Sequence, residues 1–92
     1  MKKKIHIVIT GKVQGVGFRY WLYQIANEKN VYGWVKNKNT NEVEAVLLGK
    51  DKNVDELIKL VRKGPSSARV ENLNIQNYQK EYLRKSFDIL HD

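Results

Sequence analysis

Apolar and polar residues alternate from Lys4 to Thr10, with Ile5, Ile7 and Ile9 on one side, and this period of two predicts a strand. Phe18, Trp21, Leu22, Ile25 and Ala26 then recur at helical spacing, so a helix is expected from Phe18 to about Asn30, where Glu28-Lys29-Asn30 turns polar. Tyr20 and Tyr23 lie off that apolar stripe and are expected to cover the helix flank. Val31 to Asn37 is rich in aromatic and β-branched residues and predicts a second strand, with Gly33 marking a bulge or a close backbone approach. Lys38-Asn39-Thr40-Asn41 is a turn, and Glu42 to Leu48 alternates again, with Val43, Ala45 and Leu47 opposed to Glu42 and Glu44. Asn53, with Glu56 three residues on, is the expected N-cap of a second helix along Val54, Leu57, Ile58 and Val61. Gly64 and Pro65 should end it. Ser66 to Val70 reads as a loop, Glu71 to Tyr78 as a weakly alternating strand, Gln79 to Lys85 as a charged connection and Ser86 to Leu90 as a short last strand.

The order is β-α-β-β-α-β with one short extra strand. It predicts an α+β, ferredoxin-like βαββαβ sandwich over residues 1–92, with an antiparallel sheet of four to five strands and two helices on one face. Right-handed crossovers leave few alternatives. In this arrangement the first two strands run parallel and flank the third, so their C-terminal ends meet at one edge, roughly 10 Å apart. The loop after the first strand and Asn37 at the end of the second should therefore face each other across a small gap.

That loop carries the candidate chemistry. Gly11-Lys12-Val13-Gln14-Gly15-Val16-Gly17-Phe18-Arg19 joins a strand to a helix, so free backbone N–H groups and the positive end of the helix dipole point at whatever lies above it. Its glycines permit left-handed turns and close approach of a ligand. Arg19, in the first helical turn, can grip a phosphate through two parallel hydrogen bonds, and a cation there is otherwise unfavourable for the dipole. The dinucleotide pattern started at Gly15 fails at Tyr20, and the Walker pattern started at Gly11 fails at Val16-Gly17.

Composition narrows the class. Ninety-two residues, 41% hydrophobic, are enough for one core and little more, and a net charge of +7 favours anionic partners. There is no cysteine, hence no disulfide framework and no thiolate chemistry. No apolar run reaches a spanning length, and Met1-Lys2-Lys3-Lys4 leads straight into a strand, so a cytoplasmic protein without membrane association is expected. His6 and His91 share no metal-ligand spacing and are expected to be structural. Ser66 and Ser67 sit in no nucleophile elbow.

The loop motif, followed by Gly33-Trp34-Val35-Lys36-Asn37, closely resembles the acylphosphatase family, and matches at Ala26, Val43, Glu44, Gly64-Pro65, Ala68, Val70, Phe87 and Ile89 extend the resemblance along essentially the whole chain. The resemblance implies metal-free, cofactor-free hydrolysis of the carboxyl–phosphate bond of small acyl phosphates. It implies that Arg19 and the backbone N–H groups of Gln14, Gly15, Val16, Gly17 and Phe18 hold the phosphate while Asn37 orients the attacking water. Inorganic phosphate would be product and inhibitor, and the protein a monomer. Thr40-Asn41 stands where family members usually have glycine; Asn41 can adopt the left-handed conformation, so a shifted or slightly strained turn with the site kept is expected. Lys36 stands where arginine is common and should face solvent.

Two other readings compete. The first is a phosphate-binding module without turnover. The family's domain also occurs at the N-terminus of a large hydrogenase maturation protein, but a 92-residue chain favours the free enzyme. The second is an RNA-binding sheet, which the lack of aromatic residues on the first and third strands opposes, so no nucleic-acid partner is expected.

Overall fold

In the computed structural model, which describes residues 1–91, the alternation around Ile5–Ile9 is the middle of a longer strand, β1 (Lys2–Lys12). It is followed by α1 (Phe18–Glu28), β2 (Tyr32–Lys38), β3 (Glu42–Lys50), α2 (Asp51–Lys63), β4 (Arg69–Asn77) and β5 (Phe87–Ile89). The sheet order is β4-β1-β3-β2-β5. As expected, β1 and β2 flank β3, both antiparallel to it. The sheet is not wholly antiparallel, because β5 pairs parallel to β2, Gly33 opposite Phe87 and Val35 opposite Ile89. β4 and β5 lie at opposite edges, so the chain between them must traverse the sheet, and only that crossover brings β5 in beside β2.

Register explains the core. Ile5, Ile7 and Ile9 stand opposite Leu47, Ala45 and Val43, which puts all six apolar side chains on one face. Phe18, Leu22 and Ala26 of α1, with Val54, Leu57 and Val61 of α2, close over that face, and all are essentially solvent-free. Each of these side chains larger than alanine contributes about 1.5–3 kcal/mol relative to exposure. Trp21, Ile25 and Ile58 pack at the margin. Val46 points to the other face and is nonetheless buried. Its cross-strand neighbours are His6 and Trp34, whose rings meet edge to face at 6.5 Å. His6 is further held by Glu44 at 2.6 Å, the structural role expected of it, and the same carboxylate pairs with Lys36 at 3.8 Å. Lys36 is thus drawn over the Trp34 ring rather than left free in solvent.

Several boundaries moved for local reasons. Asn30 adopts the left-handed conformation at φ 57, so α1 stops at Glu28, two residues before the expected end. α2 begins at Asp51, not after Asn53. Its cap position is Lys50, no side chain caps it, and Asp51 in the first turn offsets the dipole instead. Gly64, at φ 74, ends it as anticipated. In the hairpin turn the left-handed residue is Asn39, at φ 58. At Gly33 the ladder is continuous and no bulge forms, but a Cβ there would sit 1.7 Å from the Val46 carbonyl oxygen, so the close approach excludes any larger residue.

Candidate active site

The site is built where β1 ends and α1 begins. Val13 is buried and anchors the chain, and the next residues bend outward through Gly15 (φ 72) and Gly17 (φ 76). Both glycines are left-handed and face open space. A left-handed residue within such a turn lets successive backbone N–H groups face one side as an anion nest. Among the described residues, none of the N–H groups of Gln14 to Gly17 donates to another backbone carbonyl. Helix α1 adds its own unpaired first-turn donors, since Gly17 at its cap offers no side chain and no acidic residue stands in its first turn.

A second tie fixes the loop against the hairpin. The Gln14 side-chain amide donates to the carbonyls of Asn39 at 2.8 Å and Glu42 at 2.9 Å, with a longer contact to Lys38 at 3.4 Å. The Gly11 N–H donates to the Asn41 carbonyl at 3.0 Å. Asn39 in turn donates through Nδ2 to the Glu42 carboxylate at 2.7 Å. These bonds hold the end of β2, and so Asn37, at a set distance from the loop. Asn37 is paired with Val43, whose side chain is in the core, so Asn37 points to the helix side of the sheet.

Val13, Gly15, Gly17, Phe18, Arg19 and Asn37 line one cavity of about 290 Å³. The sequence-predicted pair is thereby brought to a single concave site. Gln14 and Val16 do not line it with their side chains, Gln14 being turned to the hairpin and Val16 packed against the core, so any part they take is through backbone. Three residues that sequence reasoning set aside are also in the wall: Tyr20, Ile89 and His91. Tyr20 stacks on Tyr23 at 6.0 Å, so the expected flank cover is also part of the cavity rim. His91, read as structural, stands with Nδ1 3.4 Å from an Arg19 guanidinium nitrogen. The parallel pairing of β5 was the missing signal, because in an antiparallel strand the tail would leave from the opposite end of the sheet.

The charge in the cavity is positive, and no carboxylate among the described residues pairs with Arg19. Among those residues no three His, Cys, Asp or Glu side chains converge to hold a metal ion. Backbone donors without backbone partners among the described residues, beside one guanidinium and in a cavity shared with an amide that can both donate and accept, suit a tetrahedral anion and a water beside it.

Residues 5–89 match the family model for acylphosphatase. The chain belongs to the acylphosphatase family. An acylphosphatase from Rhodopseudomonas palustris is 43% identical over 77 residues, 84% of this chain and 78% of that one. One from Syntrophus aciditrophicus is 42% identical over 94 aligned positions, covering 100% of this chain and 96% of its own length. The structure of an acylphosphatase from Coxiella burnetii superposes with a TM-score of 0.90 at 34% identity, over 97% of this chain and 93% of that chain. The family's fold is the α+β, ferredoxin-like architecture described above.

Proposed function

We infer that this acylphosphatase hydrolyses the carboxyl–phosphate bond of small acyl phosphates through Arg19, Asn37 and the backbone donors of Gln14 to Phe18. The observation that carries the reading is the shared cavity of Arg19, Asn37 and the two left-handed glycines, with unpaired donors around it. An acyl phosphate has a good leaving group, so the protein's task is to position it and to stabilise spreading negative charge. Arg19 and the N–H row take the phosphoryl oxygens. Asn37 accepts from a water in line with the bond to the acyl oxygen. That water's oxygen bonds to phosphorus, the phosphorus–oxygen bond to the acyl group breaks, and its electron pair leaves with the carboxylate. An asparagine is a poor base, so the water's proton passes to a phosphoryl oxygen, giving carboxylate and inorganic phosphate.

The same cradle would accept inorganic phosphate as a competitive inhibitor. We read the chain as a single cytoplasmic domain acting as a monomer, a net charge of +7 favouring mutual repulsion of copies. Among the described residues no helix is long and apolar enough to cross a membrane. Family membership disfavours an anion-binding module without turnover.

The test is hydrolysis of benzoyl phosphate in the presence of a chelator by wild type, Arg19→Ala and Asn37→Ala, each checked for fold by circular dichroism. Wild type turns over, and each variant loses about 10²–10³-fold in kcat/KM, the scale of one removed transition-state donor. A wild type inactive under these conditions, or folded variants with full activity, would sink the assignment.

A further inference from the structure

We propose that His91 is a positioning residue of the cradle, its imidazole Nδ1 accepting a hydrogen bond from the Arg19 guanidinium and holding it turned into the cavity. This rests on the reading of Arg19 as the phosphate-binding cation. The placement of His91 follows from β5. Val35 of β2 is level with Ile89, and the Leu90 N–H donates to the Val35 carbonyl at 2.8 Å, which carries the parallel pairing one residue beyond the strand. Two residues on from Val35 and from Ile89 are Asn37 and His91, so the register sets them side by side. Residues two apart in a strand share a face, and Ile89 packs against the core, which puts His91 on the helix side with Asn37. Arg19 reaches the same place from the first turn of α1, and all three line one cavity.

The chemistry fits the role. An arginine side chain carries about 2 kcal/mol of rotamer entropy, part of which is lost whenever it grips an anion. An acceptor fixed at the rim takes up that loss before the ligand arrives. A neutral imidazole has one acceptor nitrogen, and with Nδ1 in that role the proton sits on Nε2. In that role His91 acts through Arg19.

The experiment measures kcat, KM and the inhibition constant of inorganic phosphate for His91→Ala and His91→Asn, with Arg19→Ala and thermal melting alongside. Asparagine places its carbonyl oxygen about where Nδ1 stands. His91→Ala raises KM and the phosphate inhibition constant together by about three- to ten-fold, the worth of one hydrogen bond at a rim, with kcat within about two-fold. His91→Asn restores both constants to within about two-fold of wild type. A His91→Ala variant indistinguishable from wild type, beside an inactive Arg19→Ala, overturns the His91 assignment alone. So does a His91→Asn variant as impaired as His91→Ala, since the ring would then act by bulk. A fully active Arg19→Ala overturns the reading of the cradle itself.

Discussion

The side-chain amide of Gln14 donates to the Asn39 carbonyl at 2.8 Å, tying the loop after β1 to the turn between β2 and β3. The same nitrogen reaches the Glu42 carbonyl at 2.9 Å, so one residue holds both sides of the hairpin turn. Asn39 is the left-handed residue of that turn, and the bond fixes the peptide that a non-glycine residue must strain to adopt.

Gln14→Leu should therefore loosen the gap between loop and Asn37 without touching a residue of the cavity wall. We expect a loss of about 1–2 kcal/mol of stability in urea unfolding and roughly ten-fold in kcat/KM. Gln14→Glu should be worse in activity than Gln14→Leu, because both lose the donor but the carboxylate also repels the two carbonyl oxygens and brings negative charge beside the proposed anion cradle. Equal activity of wild type and both variants would mean that the hairpin sets Asn37 unaided.

Two glycines with positive φ should answer alanine substitution very differently. At Gly33 (φ 143) the added Cβ meets the Val46 carbonyl at 1.7 Å, so the central ladder must part, and Gly33→Ala should cost at least about 3 kcal/mol or prevent folding. At Gly17 (φ 76) there is open space, so Gly17→Ala should cost only about 1–2 kcal/mol of left-handed strain and remain folded. Because the new methyl stands beside the donor row, phosphate affinity should fall more than stability. Denaturant midpoints and phosphate inhibition of the two variants separate these effects.

Tyr82 crosses the sheet with the β4–β5 connection and donates its hydroxyl to the Gly33 carbonyl at 2.8 Å. Burial, and next the Asp88 charge, push its pKa above the ordinary 10.0. A pKa raised by folding stabilises the fold fully below the unfolded value, and that contribution is lost as pH rises through the folded value. Stability of the wild type should thus fall as pH rises from about 10 upward. Tyr82→Phe should be less stable at neutral pH by about 1 kcal/mol, and its alkaline decline should be shallower. Urea unfolding at pH 7 and at two values above 10 checks both; parallel declines would exclude Tyr82 as a contributor.

Much of this molecule is legible along the chain. The period of two in Ile5, Ile7 and Ile9, the helical spacing of Phe18, Leu22 and Ala26, and the strand–glycine loop–helix order are local patterns, and the core and the place of the loop follow from them. Asn37 could be set opposite the loop because β1 and β2 must run parallel in this topology. The expected N-cap at Asn53 failed because α2 starts at Asp51, with Lys50 at an uncapped start. In the turn, Asn39 and Asn41 were near-equivalent local choices for the left-handed residue, and contacts elsewhere selected Asn39. For the turn, the Gln14 amide is such a contact.

By itself the sequence determined the element order and the buried face, because each depends on neighbours within a turn or a strand. Only the tertiary structure decided which distant pieces meet. Three residues of β5 carry too little pattern to declare a direction, and its pairing with β2 depends on a chain segment crossing the sheet. That long-range pairing is what sets His91 beside Asn37 and against Arg19, a contact spanning 72 positions that no local period can announce.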